Sequence, residues 1–244
     1  MTKSIRILLP LVAVLFCACE GFDLASEQIR GSGKAATEQR PVSGIHAVTL
    51  SGVGVLRIEV GNQESLRIDA DDNILPYIKT KVQNGRLTIG IERGYSVHPS
   101  VPIRYALVVQ ELDEVGLSGS GKISTAALRS DTMKAHLSGS GEIAFDELTG
   151  REFAAGISGS GEIKASGRVE AEEVRISGSG GYYGGDLQSR TAEVIVSGSG
   201  NSKLWVTDAL TVHVSGSGDV EYYGNPRLTQ HISGSGKLIS RGSR

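Results

Sequence analysis

The tetrapeptide Ser-Gly-Ser-Gly occurs seven times in this chain, starting at Ser118, Ser138, Ser158, Ser177, Ser197, Ser215 and Ser233. Successive copies are 20, 20, 19, 20, 18 and 18 residues apart. A unit of that length cannot bury an apolar face alone, so a sustained period near 20 predicts repeats that cover one another by stacking. This makes scaffold, adhesion and envelope roles stronger candidates than catalysis.

The flanks of the tetrad supply the secondary structure. The preceding residue is a large aliphatic in every copy: Leu117, Leu137, Ile157, Ile176, Val196, Val214 and Ile232. Two positions earlier stand Val115, Ala135, Ala155, Val174, Val194, Val212 and Gln230, with mixed, often polar residues between. Alternation of period two is the pattern of a strand with one buried and one exposed face. After the tetrad a second strand begins, with Ile123, Ile143, Ile163, Tyr182, Ser202, Val220 and Leu238 at its second position, apolar in all but one. Leu128 with Met133, and Leu148 with Phe153, are candidates to close the coil on its other side. Glycine suits the corner because it adopts positive φ freely and lets stacked backbones approach.

About 20 extended residues give roughly 66 Å of contour, which after the corners suits a flattened coil with two short-stranded faces. Seven such coils at about 4.8 Å make a rod roughly 30 Å long. The predicted fold class is all-β: a right-handed, single-stranded β-helix or solenoid of short strands with Ser-Gly-Ser-Gly corners and an irregular β N-terminal part. A β-propeller would need two repeats per blade.

Residues 1–19 read as an export signal: Lys3 and Arg6 precede an apolar run from Ile7 to Phe16 that is too short for an ordinary spanning helix. Phe16-Cys17-Ala18-Cys19 resembles the lipobox of bacterial lipoproteins, which implies a diacylated Cys19 and a lipid bilayer as partner. Glu20, not the Asp associated with inner-membrane retention, follows that cysteine, so the predicted localisation is the cell envelope as an outer-membrane lipoprotein, in either orientation. With Cys17 removed along with the signal, Cys19 would have no internal disulfide partner. Residues 20–40 are polar and aperiodic and read as a flexible tether. Residues 41–112 read as an irregular β cap or extension, 113–240 as the regular coils and 241–244 as a polar tail. Within 41–112, Asn84-Gly85 signals a hairpin turn, and Ser51-Gly52-Val53-Gly54 looks like a degenerate tetrad, 67 residues ahead of the first clean one.

Candidate chemistry is sparse. His213 and His231 occupy equivalent positions on neighbouring coils, without further ligands beside them. Asp69, Asp71 and Asp72 cluster after a strand, but without a recognised calcium-loop spacing. The tetrad serines lack an attendant base, and the glycines lack the Lys-Ser/Thr of a phosphate loop. No catalytic, cofactor-binding or metal-ligating residue is therefore assigned, and no cofactor. Tyr183, Trp205 and Tyr223 form the one candidate ligand patch, for a glycan or a protein. A net charge of −2 with no basic stripe argues against nucleic acid.

The export signal, a leading Val42-Ser43-Gly44-Ile45 strand, the entry segment Val109–Gly121 and the tetrads that follow resemble the auto-transporter adhesin head GIN domain family over roughly residues 41–240. That resemblance implies a right-handed, pectin-lyase-like β-helix without an established catalytic site, and carries over the tetrad glycines as structural residues. The reading is a non-enzymatic, lipid-anchored cell-envelope protein serving adhesion or assembly, with a glycan, an envelope or host protein, or a second copy as partner. The alternative is a carbohydrate-binding accessory module, ahead of a polysaccharide-active enzyme.

Overall fold

The computed structural model describes residues 26–244. The export signal and the lipidation site at Cys19 lie outside the described residues. Nine strands precede the regular coils: β1 Glu27–Arg30, β2 Ala35–Arg40, β3 Ala47–Gly52, β4 Val55–Val60, β5 Ser65–Asp71, β6 Ile78–Gln83, β7 Arg86–Ile91, β8 Tyr95–His98 and β9 Arg104–Val109. The coils follow as β10 Glu114–Gly119, β11 Lys122–Arg129, β12 Thr132–Gly139, β13 Glu142–Thr149 and β14 Glu152–Gly159. The long strands β15 Glu162–Gly178, β16 Gly181–Gly198 and β17 Asn201–Gly216 each take up most of a turn, and β18 Val220–Tyr223, β19 Arg227–Gly234 and β20 Leu238–Ser240 form the last.

These strands make a stacked-coil β-solenoid with two parallel ladders along its axis. One runs β3, β10, β12, β14 and then the C-terminal halves of β15, β16 and β17 to β19. The other runs β9, β4, β11, β13 and then the N-terminal halves of the long strands to β18 and β20. The aliphatics before each tetrad point into the core: Leu117, Leu137, Ile157, Ile176, Val196 and Val214 are at most 2% exposed. Leu128, Met133, Leu148 and Phe153 close the other side and are also buried.

The tetrads stack in strict register, Ser on Ser and Gly on Gly. Ser51-Gly52 lies directly on Ser118-Gly119, so the degenerate tetrad is the first rung of the same ladder. Hydrogen bonds across the corner run through the backbone. The amides of Ser160 and Gly161 both donate to the Gly139 carbonyl, each at 2.9 Å, and the Glu162 amide donates to Gly141. Gly159, the second residue of its tetrad, has φ +126°. A Cβ on Gly161, the fourth, would lie 2.5 Å from the Gly141 carbonyl oxygen and 2.7 Å from Leu137 Cδ2. Each corner therefore excludes side chains at two positions for different reasons, one conformational and one steric.

The face between corners is bent within its strands. Ala126 and Ala127, and Asp146 and Glu147 one coil on, are consecutive exposed residues within a strand, which breaks the alternation and bends the ladder. Three of the four register shifts between coils fall at this bend, and the fourth lies between Ser189 and Thr191. Phe145 pairs with Ala165 but Leu148 with Gly167, so one residue is lost there. Lys164 pairs with Tyr183 but Ser166 with Asp186, so one is gained. Gly184 pairs with Leu204 but Gln188 with Trp205, which leaves Gly185–Leu187 without partners on β17.

The N-terminal end is capped by antiparallel strands. β7 continues the first ladder beyond β3, and β6 folds back on it through Asn84 and Gly85, both at positive φ. β5 lies antiparallel to β9, and β2 antiparallel to β5. The segment read as a tether thus holds two strands: β1 pairs with β8 and β2 forms an edge of the cap. Thr37 and Gln39 face solvent while the backbone completes the sheet. Arg40 is further held by donating to the Ile78 and Leu75 carbonyls. Val42–Ile45, in contrast, is not a strand. Gly44 at φ +66° turns the chain there, and the Gly44 and Ile45 amides donate to the Glu64 carboxylate.

Asp71 ties this cap together. It is fully buried, and its two oxygens accept from the Gly33 amide at 2.8 Å and from those of Ser100 and Val101 at 3.0 Å. Burial pushes its pKa up, but the backbone donors outweigh that and hold it below the ordinary value. Asp71→Asn turns one acceptor oxygen into a donor facing an amide, and is expected to cost about 1–2 kcal/mol. Hydrogen exchange should show the loss first in β1 and β8, with β12 and β14 unchanged.

Candidate functional site

Of the three aromatics named as a patch, the fold brings two together. Trp205 and Tyr223 are ladder partners on β17 and β18, both half-buried. Tyr183 pairs with Lys203, two positions from Trp205, and is 42% exposed. Its ring covers Gly181, where an added Cβ would lie 2.8 Å from Tyr183 Cε2. The patch therefore centres on Trp205 and Tyr223.

Charged residues complete that centre. Lys203 Nζ lies 5.1 Å from the Tyr223 ring centroid. The Arg244 guanidinium lies 5.2 Å from the Trp205 ring and 5.6 Å from the Tyr223 ring, and forms an ion pair with Asp186. Asp186 is available because it sits in the Gly185–Leu187 segment at the bend, which has no partners on β17, beside Trp205 in the next coil. The polar 241–244 segment is tied to the coils. The Arg241 amide donates to the Tyr222 carbonyl, and the Arg241 guanidinium donates to both oxygens of Glu221 at 2.6 and 3.1 Å. The hydrogen bond from Arg241 is the main reason that Glu221 is held below the ordinary glutamate range. Asp186 and Arg244 lie far apart in the chain, and no sequence signal joins them to the aromatics.

A second feature runs along the outer face of the first ladder. A shallow groove of about 590 Å³ crosses successive coils, lined in part by Thr49, Gly116, His136, Gly156, Arg175 and Ile195. These are one column of outward-facing residues, and His213 and His231 continue it. The two histidine rings are 6.3 Å apart, tilted by 47°. The tetrad serines form two exposed rows beside the groove.

Glu172 is a residue that the sequence reading passed over. It occupies a core column between Phe153 and Ala192 and is 3% exposed. The Tyr182 hydroxyl donates to Oε1, while Oε2 is without a hydrogen-bond partner. Burial pushes its pKa up to about 7, despite the hydrogen bond from Tyr182, and raises Tyr182 as well. Comparing column positions would have revealed it, since Met133, Phe153, Ala192 and Leu210 are its apolar equivalents.

The aspartate cluster is structural. Asp69 accepts from Thr37 and pairs with Arg67, and Asp72 accepts from Ser32 and pairs with Lys34, so each carboxylate faces a different partner. Among the described residues no group of three or more His, Cys, Asp or Glu side chains converges as a metal site.

Solved structures share the architecture. An adhesin, titled "putative", from Bacteroides fragilis superposes with a TM-score of 0.83 at 21% identity, covering 87% of this chain and 99% of that one. A protein from Parabacteroides distasonis titled "Putative lipid binding protein" gives 0.76 at 24%, covering 88% and 99%. Another adhesin so titled, from Parabacteroides merdae, gives 0.70 at 22%, again covering 88% and 99%. At these identities the likeness establishes the fold. Among curated proteins nothing matches the chain. Residues 45–226 match the family described as "Putative auto-transporter adhesin, head GIN domain". That match takes in β3 to β18, six of the seven tetrads and the aromatic pair, and the chain belongs to this head GIN domain family.

Proposed function

We propose that the chain is a non-enzymatic scaffold of the cell envelope, anchored in the outer membrane through an acylated Cys19, whose outer ladder face serves adhesion or assembly. The observation that carries this reading is the continuous column Thr49, Gly116, His136, Gly156, Arg175, Ile195, His213 and His231 along an open groove. Residue type changes from coil to coil along it, which suits recognition of one extended surface better than one reaction repeated at each rung. Family membership and the adhesin titles of similar structures support the same reading.

The test compares the soluble chain from residue 20 with an Arg175→Glu, Ile195→Lys variant in envelope pull-downs and on glycan arrays. Capture is expected to fall at least tenfold in that variant, while Arg129→Glu on the second ladder leaves it unchanged. Equal capture by both variants would remove the face from the proposal, and no capture at all would overturn adhesion. Cys19→Ser is expected to move the protein out of the membrane fraction; persistence there would overturn the anchor.

A further inference from the structure

The cluster around Trp205 holds a bound cation already, and the cation belongs to the chain itself. The Arg244 guanidinium lies within 6 Å of two ring centroids and pairs with the Asp186 carboxylate. Two electron-rich faces and one carboxylate are the elements that recognise a weakly hydrated, planar cation. The Gly185–Leu187 segment, without partners on β17, places the carboxylate, and the ladder pairing of Trp205 with Tyr223 places the two rings. Arg244 is separately tethered, because the Arg241 side chain is fixed on Glu221 and Gly242 accepts from the Gly224 amide. A tethered side chain can fill a site for which its free affinity is low, since the tether supplies a high effective concentration.

We propose that Trp205, Tyr223 and Asp186 form a guanidinium-binding site that Arg244 closes in cis, and that an arginine-bearing peptide segment of a partner opens it by displacement. The patch is then a receptor for a cationic side chain. Its occupant in this structure reports the chemistry of its ligand and restrains its use. This inference is independent of what the outer ladder face binds, because the two surfaces share no residue.

Trp205 is the chain's one tryptophan, so its emission reads the site directly. The experiment titrates N-acetyl-arginine amide, and its neutral isostere N-acetyl-citrulline amide, into the unaltered chain, Arg244→Ala and the double variant Arg244→Ala, Asp186→Asn. Arg244→Ala is expected to show a saturable emission change with the arginine probe alone. The unaltered chain should require roughly tenfold more probe, reflecting competition from the tethered guanidinium. The double variant should bind roughly fivefold more weakly, through loss of the charge-assisted hydrogen bond. A saturable response to citrulline equal to that with arginine, or none to arginine in Arg244→Ala with an unchanged far-ultraviolet spectrum, would overturn the assignment. Equal affinities in the unaltered chain and Arg244→Ala would overturn closure by Arg244.

Discussion

Gly159→Ala is expected to destabilise the protein by roughly 4 kcal/mol, and Gly52→Ala by only about 1–3 kcal/mol. Both glycines hold the same corner position, at φ +126° and +121°. They differ in what lies on the side where a Cβ would project. At Gly159 the Cβ would sit 2.5 Å from the Gly139 carbonyl oxygen and 3.1 Å from the Gly139 nitrogen. At Gly52 there is nothing within 4 Å, because no tetrad stacks beneath it. Gly52→Ala thus isolates the conformational strain, and Gly159→Ala adds a backbone collision. That collision cannot relax cheaply, because the Gly139 carbonyl also accepts from Ser160 and Gly161. Chemical unfolding of the two variants beside the parent measures the difference. Equal losses would mean that φ alone, and not close stacking, fixes the glycine.

Glu172→Gln is expected to stabilise the protein in mild alkali and to flatten its stability profile. The folded-state pKa of Glu172 is raised from 4.5 to about 7, chiefly by burial. A carboxyl with a raised folded pKa binds its proton more tightly in the folded state. Its favourable contribution is therefore complete below the unfolded pKa of 4.5, declines as pH rises and is lost above about 7. At 1.36 kcal/mol per pKa unit, the loss by pH 8 is on the order of 3 kcal/mol. Gln has nearly the same volume, still accepts from the Tyr182 hydroxyl and never ionises. Unfolding free energies measured from pH 5 to 8 should fall for the parent and stay nearly level for the variant, which gains about 2 kcal/mol at pH 8. Parallel curves would show that Glu172 ionises no less readily when folded.

The regular coils were legible because the sequence repeats a physical constraint. The aliphatic before each tetrad must face inward, and the tetrad glycines must meet those of the next coil. Trp205 and Tyr223 were legible on the same grounds, being one 18-residue repeat apart. Tyr183 precedes Trp205 by 22 residues, and its ladder partner is Lys203. β1 and β2 were illegible as strands because an edge strand is specified by its partner's backbone, not by an apolar face. The bend was hidden for a related reason: Ala126-Ala127 and Asp146-Glu147 suspend the alternation that sequence reading follows. Asp186 and Arg244 meet only through the stacking of coils, so no local pattern could announce their contact.

The concentration of length changes away from the corners divides the molecule into a constant rail and an editable margin. The tetrads keep count, and whatever is added or removed between Asp146 and Glu147, or at the equivalent places in other coils, leaves that count intact. Trp205 and its neighbours occupy one place where the margin has already been rewritten. A foreign loop grafted there would be carried outward on a rigid frame, whereas one residue inserted at a corner would misalign every rung that follows.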